Sequence, residues 1–158
     1  MGNGDKIEIV EIAENRSALC RDILTALPSW FGIPESLEAY VRDSATLPML
    51  GAMTEGGAIG FISLKDQTPC ATEAFVLGVR PEWQRKGVGR RLFECAEDGL
   101  RRRGVRFFTV KTVAVPADDP VYGATRAFYE AMGFKAIEVF PTLWHERNPC
   151  LFMLKPLG

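Results

Sequence analysis

The stretch from Glu73 to Leu92, EAFVLGVRPEWQRKGVGRRL, constrains the fold of this chain more than any other. Glu73 to Val79 is a short apolar run with Phe, Val and Leu, halted by Pro81, which is the pattern of a buried strand. From Val88 onward, Val88, Leu92, Ala96 and Leu100 recur at helical spacing. Between strand and helix lies Gln84-Arg85-Lys86-Gly87-Val88-Gly89. A loop that runs straight into a helix leaves the first-turn N–H groups unpaired. It also presents the positive end of the helix dipole, about half an elementary charge, to an anion. Gly87 and Gly89 have no side chains to hold a ligand off the backbone, and Arg85, Lys86, Arg90 and Arg91 add formal charge. The segment reads as a cradle for a diphosphate.

Spelling separates this loop from other phosphate binders. The Walker pattern Gly-x-x-x-x-Gly-Lys-Ser/Thr occurs nowhere in the chain. A dinucleotide fingerprint needs a third glycine and an acidic residue after the next strand, and neither is present. At 158 residues the chain is the size of one domain, residues 1–158, and its 47% apolar and 25% charged content is that of a globular protein. A formal net charge of −1 gives no general attraction to nucleic acid or to an anionic membrane, so neither is expected as a partner. Arg101-Arg102-Arg103 ends a helix just before Gly104, where cations complement the dipole. Cys20, Cys70, Cys95 and Cys150 have no metal-ligand spacing, and no secretory segment is recognised. Reduced thiols, a cytoplasmic location and no metal are the expectations.

Read in order, Lys6 to Ala13 alternates as a strand, and Asn15 is placed to cap a helix carrying Leu19, Ile23, Leu24 and Leu27 that Pro28 stops. Ser29 to Ile33 reads as an aromatic loop, and Pro34 opens a helix with an apolar face of Leu37, Tyr40 and Val41. Leu47–Thr54 and Ala58–Lys65 read as a hairpin around Glu55-Gly56-Gly57. After the Gly104 cap, Arg106 to Val113 is β-rich. Asp119 is a candidate cap, with Pro120 as first residue of a helix running to Met132. Ala136–Phe140 and Cys150–Lys155 read as final strands joined by a loop, Pro141 to Pro149. Strands and helices mix along the chain, which makes the class α/β with α+β character.

A second signature is Ala127-Phe128-Tyr129-Glu130-Ala131-Met132-Gly133-Phe134. By itself it is a helix end, with Gly133 as cap and Phe134 folding back on the last turn. Tyr122, Arg126 and Tyr129 share one helix face, and Phe128 and Met132 share another. These residues alone leave Tyr129 open as a core residue or a proton donor. Together, the Gln/Arg-x-x-Gly-x-Gly loop after a glutamate-bearing strand and Phe-Tyr-x-x-x-Gly-Phe downstream resemble the GNAT superfamily of N-acetyltransferases. The resemblance covers roughly the C-terminal two-thirds of the chain.

That resemblance implies a twisted mixed sheet of about seven strands, flanked by about four helices. The sheet would be splayed between the Glu73 strand and the strand from Arg106. Acetyl-CoA would be the cosubstrate, held by Leu77, Val79, Gln84, Arg85, Lys86, Gly87, Val88, Gly89, Arg90 and Tyr122. The backbone N–H of Leu77 would donate to the acetyl carbonyl, and Tyr129 would protonate the leaving thiolate. Glu73 lies 14 residues before Gly87, the spacing of the general base in the histone-acetylating branch. The other reading of Glu73 is a rim carboxylate paired with an arginine or simply solvated, and many family members use a water chain instead. One departure stands out: many members have asparagine seven residues before the tyrosine, where this chain has Tyr122.

The acceptor is less legible. Trp30, Phe31 and Trp144 are aromatics in predicted loops, and His145 is the lone histidine; together they are candidate walls of an amine pocket, with Glu35 or Glu146 as counter-charge. No cysteine lies beside a histidine in the matched elements, so direct transfer to a primary amine is expected over an acetyl-cysteine route. The acceptor is a small-molecule or protein amine, and a homodimer is left open. A non-catalytic acyl-CoA-binding module is the alternative.

Overall fold

A computed structural model of the chain describes residues 6–116, 118–145 and 147–158, with His145 described by its backbone alone. The order of elements is β1 (Glu8–Glu11), α1 (Arg16–Leu24), α2 (Pro28–Phe31), α3 (Pro34–Ser44), β2 (Met49–Thr54), β3 (Gly57–Thr68) and β4 (Ala71–Val79), then α4 (Val88–Arg102), β5 (Phe107–Val113), α5 (Tyr122–Ala131), β6 (Lys135–His145) and β7 (Asn148–Pro156). A single 3-10 turn, Pro81–Trp83, links β4 to α4. The strands form one sheet in the order β1-β2-β3-β4-β5-β7-β6. β4 and β5 pair in parallel, whereas β1–β2, β2–β3, β5–β7 and β6–β7 pair antiparallel, so the mixed seven-stranded sheet is as expected. Among the described residues no helix is long and apolar enough to cross a membrane. The chain divides into two compact units, Met1–Lys65 with Phe75–Gly99, and Asp66–Ala74 with Leu100–Gly158.

In the first unit the expected hairpin is present, with Thr54 opposite Gly57 and β3 running three residues past the predicted end. Helices α1 and α3 cover a core of Cys20, Ile23, Leu24, Leu27, Val41, Met49, Phe61 and Val76. Gly78 is what allows α1 to lie so close: a Cβ there would stand 3.0 Å from Leu27 and 3.1 Å from Ile23. Two details differ from the sequence reading. Asn15 does occupy the N-cap position of α1, but its backbone is left-handed, at φ 58°, and its side chain makes no capping bond. Pro28 does not simply stop a helix; it occupies the first turn of α2, a role its fixed φ suits. The predicted aromatic loop is therefore largely helical, and the described residues hold five α-helices, close to the expected four or so.

In the second unit β5 is the central strand. Phe107 through Val113 pair residue by residue with Pro156 through Cys150 of β7, and Ala71–Glu73 pair with Phe107–Thr109. Phe108, Val110, Phe134 and Met153 are all buried. The α5 N-terminus starts at Tyr122, later than predicted, yet Asp119 still acts as a cap: its Oδ1 accepts from the N–H groups of Val121 at 3.0 Å and Tyr122 at 2.8 Å. Gly133, at φ 101°, closes the helix, and the N–H of Phe134 donates back to the Tyr129 carbonyl at 3.0 Å. The predicted Pro141–Pro149 loop is a correction: β6 continues to His145, which pairs with Asn148 at the start of β7. Register shifts between Ala136 and Glu138 and between Phe140 and His145 explain why its alternation does not read as a strand.

Candidate functional site

The candidate residues fall into two sets, one in each unit. In the first unit, β4 delivers the chain into the loop that precedes α4. Along β4 Thr72, Ala74, Val76 and Gly78 are buried, and the alternate residues Phe75, Leu77 and Val79 are half-buried on the other face. Beyond the strand the amide of Gln84 folds back, donating from Nε2 to the Val79 carbonyl at 3.0 Å. Gln84 therefore braces the loop from inside. Arg85 then takes φ 62° and Gly87 takes φ 82°, with Lys86 between them on the ordinary side. Such alternation of hand turns successive N–H groups toward one concave side, a ready anion nest.

A left-handed arginine is strained by about 1–2 kcal/mol, and such strain persists only where the surroundings impose it. Here the bonds Trp83 N–H to Arg80 carbonyl at 2.9 Å and Arg91 N–H to Gly87 carbonyl at 3.1 Å fix both ends of the loop. Val88, 1% exposed, anchors the helix start in the core. A Cβ on Gly87 would meet nothing within 4 Å, so the space over its backbone is open to a ligand. Arg85, Lys86, Arg90 and Arg91 are exposed around it. Lys86 lies 5.2 Å from the Trp83 ring, and Arg91 donates to the Ile7 carbonyl at 2.9 Å. First-turn amides, a left-handed glycine and exposed cations fit the diphosphate of acetyl-CoA.

In the second unit, Glu73 is 6% exposed at its pairing position opposite Thr109. The Lys111 ammonium donates to Glu73 Oε2 at 2.8 Å, so the carboxylate is buried and paired, with a lysine where the sequence reading offered an arginine or solvent at the rim. Thr109 is occupied elsewhere, its hydroxyl donating to Gln67 Oε1 at 2.8 Å. Cys150 on β7 is fully buried near the pair; burial pushes its thiol up, Lys111 pulls it down, and Glu73 pushes it up. Tyr129 is 6% exposed, with its ring 5.9 Å from that of Phe134 and 5.7 Å from that of Phe128. Burial, and then the Asp119 charge, push the Tyr122 phenol up, so it is a neutral hydroxyl.

The candidate acceptor residues belong to different units. Trp30 and Phe31 pack against the core of the first unit, while Trp144 is an exposed residue of β6. The His145 side chain and Glu146 lie outside the described residues. Sequence reasoning passed over Lys111, a single charge in an otherwise apolar and hydroxyl-bearing strand. It also passed over the aromatic row of the first unit, Phe31, Tyr40 and Phe75, joined edge to face at 5.8 and 5.4 Å, with Lys65 over the Phe75 ring at 5.2 Å. Phe75 lies on the β4 face that also carries Leu77.

Comparison with known proteins bears on the family and the fold. The family model for the acetyltransferase (GNAT) domain matches residues 47–136. The ribosomal protein alanine N-acetyltransferase of Escherichia coli strain K12 is 27% identical over 110 residues, which span 67% of this chain and 70% of that protein. A GNAT-family acetyltransferase structure from Desulfovibrio desulfuricans superposes with a TM-score of 0.80 at 17% identity, covering 97% of this chain and all of the other. An aminoglycoside 6'-N-acetyltransferase solved with coenzyme A superposes with a TM-score of 0.75 at 20% identity, covering 96% of this chain and 97% of that one.

Proposed function

This chain belongs to the GNAT acetyltransferase family, and we propose that it moves an acetyl group from acetyl-CoA directly to a primary amine, using Glu73 as base and Tyr129 as acid. The observation that carries the reading is the loop before α4, whose left-handed Arg85 and Gly87 open a nest of N–H groups beneath exposed cations. Arg85, Lys86, Arg90 and the amides from Gly87 to Arg90 bind the diphosphate. The N–H of Leu77 on β4 donates to the acetyl carbonyl oxygen, where negative charge develops during attack; such a donor contributes about 10²–10³ in rate. Glu73 accepts the proton that the amine nitrogen loses as it bonds to the acetyl carbon. The bond from that carbon to sulfur breaks, and the Tyr129 hydroxyl gives its proton to the departing sulfur. Tyr122 meets the pantetheine arm in place of the usual asparagine.

The whole chain acts as one catalytic domain in the cytoplasm, where acetyl-CoA is supplied and Cys20, Cys70, Cys95 and Cys150 stay reduced; all four are free thiols. The acceptor is a primary amine of a small molecule or a protein. The test is acetyl-CoA-dependent thiol release over a panel of alanine-headed peptides, aminoglycosides and small amines, with mass analysis of the products. At least one acceptor is expected to gain an acetyl group. Tight coenzyme binding with no acetylated product from any acceptor would make the chain a coenzyme-binding module instead.

A further inference from the structure

Lys111 has no part in the scheme above, yet its ammonium lies 2.8 Å from the carboxylate assigned as base. The sheet register makes this contact. Glu73 stands opposite Thr109 in the parallel β4–β5 pair, and Lys111 follows two residues later on the same side of β5. A lysine stem is long enough to reach across such a diagonal. A slip of one residue would send Lys111 to the opposite face, so the pairing is set by the register that also buries Phe108 and Val110. Glu73 has only 8% of its side-chain surface exposed and Lys111 has 26%, so water does little to screen the pair.

Few other charges compete for this carboxylate. No titratable residue besides Glu73 lies on β4. From β7 the neighbour is the Cys150 thiol, which burial keeps in its neutral form. No other charged partner of Glu73 is found among the described residues. A carboxylate buried to this degree without a counter-charge favours its neutral form, and a neutral carboxyl cannot accept a proton.

We propose that Lys111 is a positioning residue for the proton transfer: its ammonium keeps the buried Glu73 carboxylate charged and aimed, and so able to receive the proton of the attacking amine. The same fixed cation repels an acceptor that arrives protonated, which favours the neutral amine that attack requires. This inference rests on the reading of Glu73 as the base.

The titration follows the carboxyl itself and needs no acceptor; only the separate check of the base, turnover of Glu73→Gln, uses an acceptor from the amine panel. Protein labelled with carboxyl-¹³C glutamate is titrated by NMR as wild type, Lys111→Met and Lys111→Arg, with the Glu73 signal assigned by its loss in Glu73→Gln. In Lys111→Met the midpoint is expected to rise by about one pH unit or more relative to wild type, and Lys111→Arg should restore it. Where Lys111→Met does not fold, Lys111→Gln carries the same comparison. An unmoved Glu73 midpoint in a folded, uncharged variant overturns the role of Lys111, and leaves the base reading intact if Glu73→Gln is slow. Full turnover in Glu73→Gln overturns the base reading and the role of Lys111 with it.

Discussion

Gly87→Ala and Gly104→Ala form a matched pair that isolates ligand binding from backbone strain. The two glycines have nearly the same conformation, φ 82° and φ 80°, and a Cβ at either would meet nothing within 4 Å. Neither substitution creates a clash, so each carries only the penalty of a left-handed alanine, about 1 kcal/mol. For a chain of this size that lowers the melting temperature by about 2–4 °C in both variants. Coenzyme affinity should separate them. At Gly104 the new methyl stands beyond the end of α4, whereas at Gly87 it stands where the diphosphate must approach the amides. Losing one charge-assisted hydrogen bond costs about 1.5–3 kcal/mol, a weakening of roughly ten- to a hundredfold in Kd. Calorimetric titration with acetyl-CoA beside thermal unfolding reads both quantities. Gly87→Ala should show the weak binding and Gly104→Ala should bind as wild type. Equal affinities in the two variants would remove the loop from the binding site, because strain alone would then account for everything observed.

Three further outcomes follow from the geometry. With an acceptor drawn from the amine panel, Glu73→Gln should reduce turnover by about 10²–10⁴-fold with coenzyme affinity kept, and an unchanged rate and pH profile would hand proton removal to water. Tyr129→Phe keeps the ring against Phe134 and removes only the hydroxyl, so stability and coenzyme affinity should hold while turnover falls about tenfold or more; wild-type turnover would leave Tyr129 a packing residue. Asp66 accepts from the Thr72 hydroxyl and pairs with Arg103, and these contacts, the first being the larger, hold its carboxyl below the usual range. Its charged form therefore stabilises the fold at neutral pH, and that contribution fades as pH falls through the depressed folded value. Asp66→Asn should lower stability near pH 7 by at most about 1 kcal/mol and converge with wild type in acid; a difference that persists in acid would point to packing rather than charge.

Most of the fold was legible because local signals agreed with one another. The run from Glu73 to Leu100 combined an apolar strand, a glycine loop and a helical repeat, and β4 and α4 lie where these signals put them. The Gly104 and Gly133 stops are both left-handed, as helix-closing glycines should be. Where reading failed, tertiary pairing had overridden local chemistry. Asn15 has the side chain of a cap, but its left-handed backbone goes with a side chain that makes no capping bond. β6 contains Pro141 and irregular alternation, which read as a loop, yet pairing with β7 across two register shifts keeps it extended to His145. Ile137, Val139 and Leu143 remain exposed on it, so apolar spacing there carries no information about a buried face.

The site divides along the same line. The proposed phosphate cradle is a local object, built from consecutive residues whose backbone would do the binding, and six adjacent letters were enough to propose it. A proton-transfer site is not local. The 14-residue spacing singles out Glu73 only by resemblance, and nothing near it in sequence reveals its partner 38 residues later. Lys111 becomes meaningful only once β4 and β5 are known to run parallel with Glu73 opposite Thr109. An antiparallel pairing, or a one-residue slip, would place a different side chain beside the carboxylate. The trace that sequence did hold was compositional: in Phe107–Val113 every residue but Lys111 is apolar or a threonine. A lone charge in such a strand carries a desolvation penalty that a counter-charge must offset. Asking which carboxylate could meet it would have led to Glu73, the one acid on β4, the strand that pairs in parallel with it.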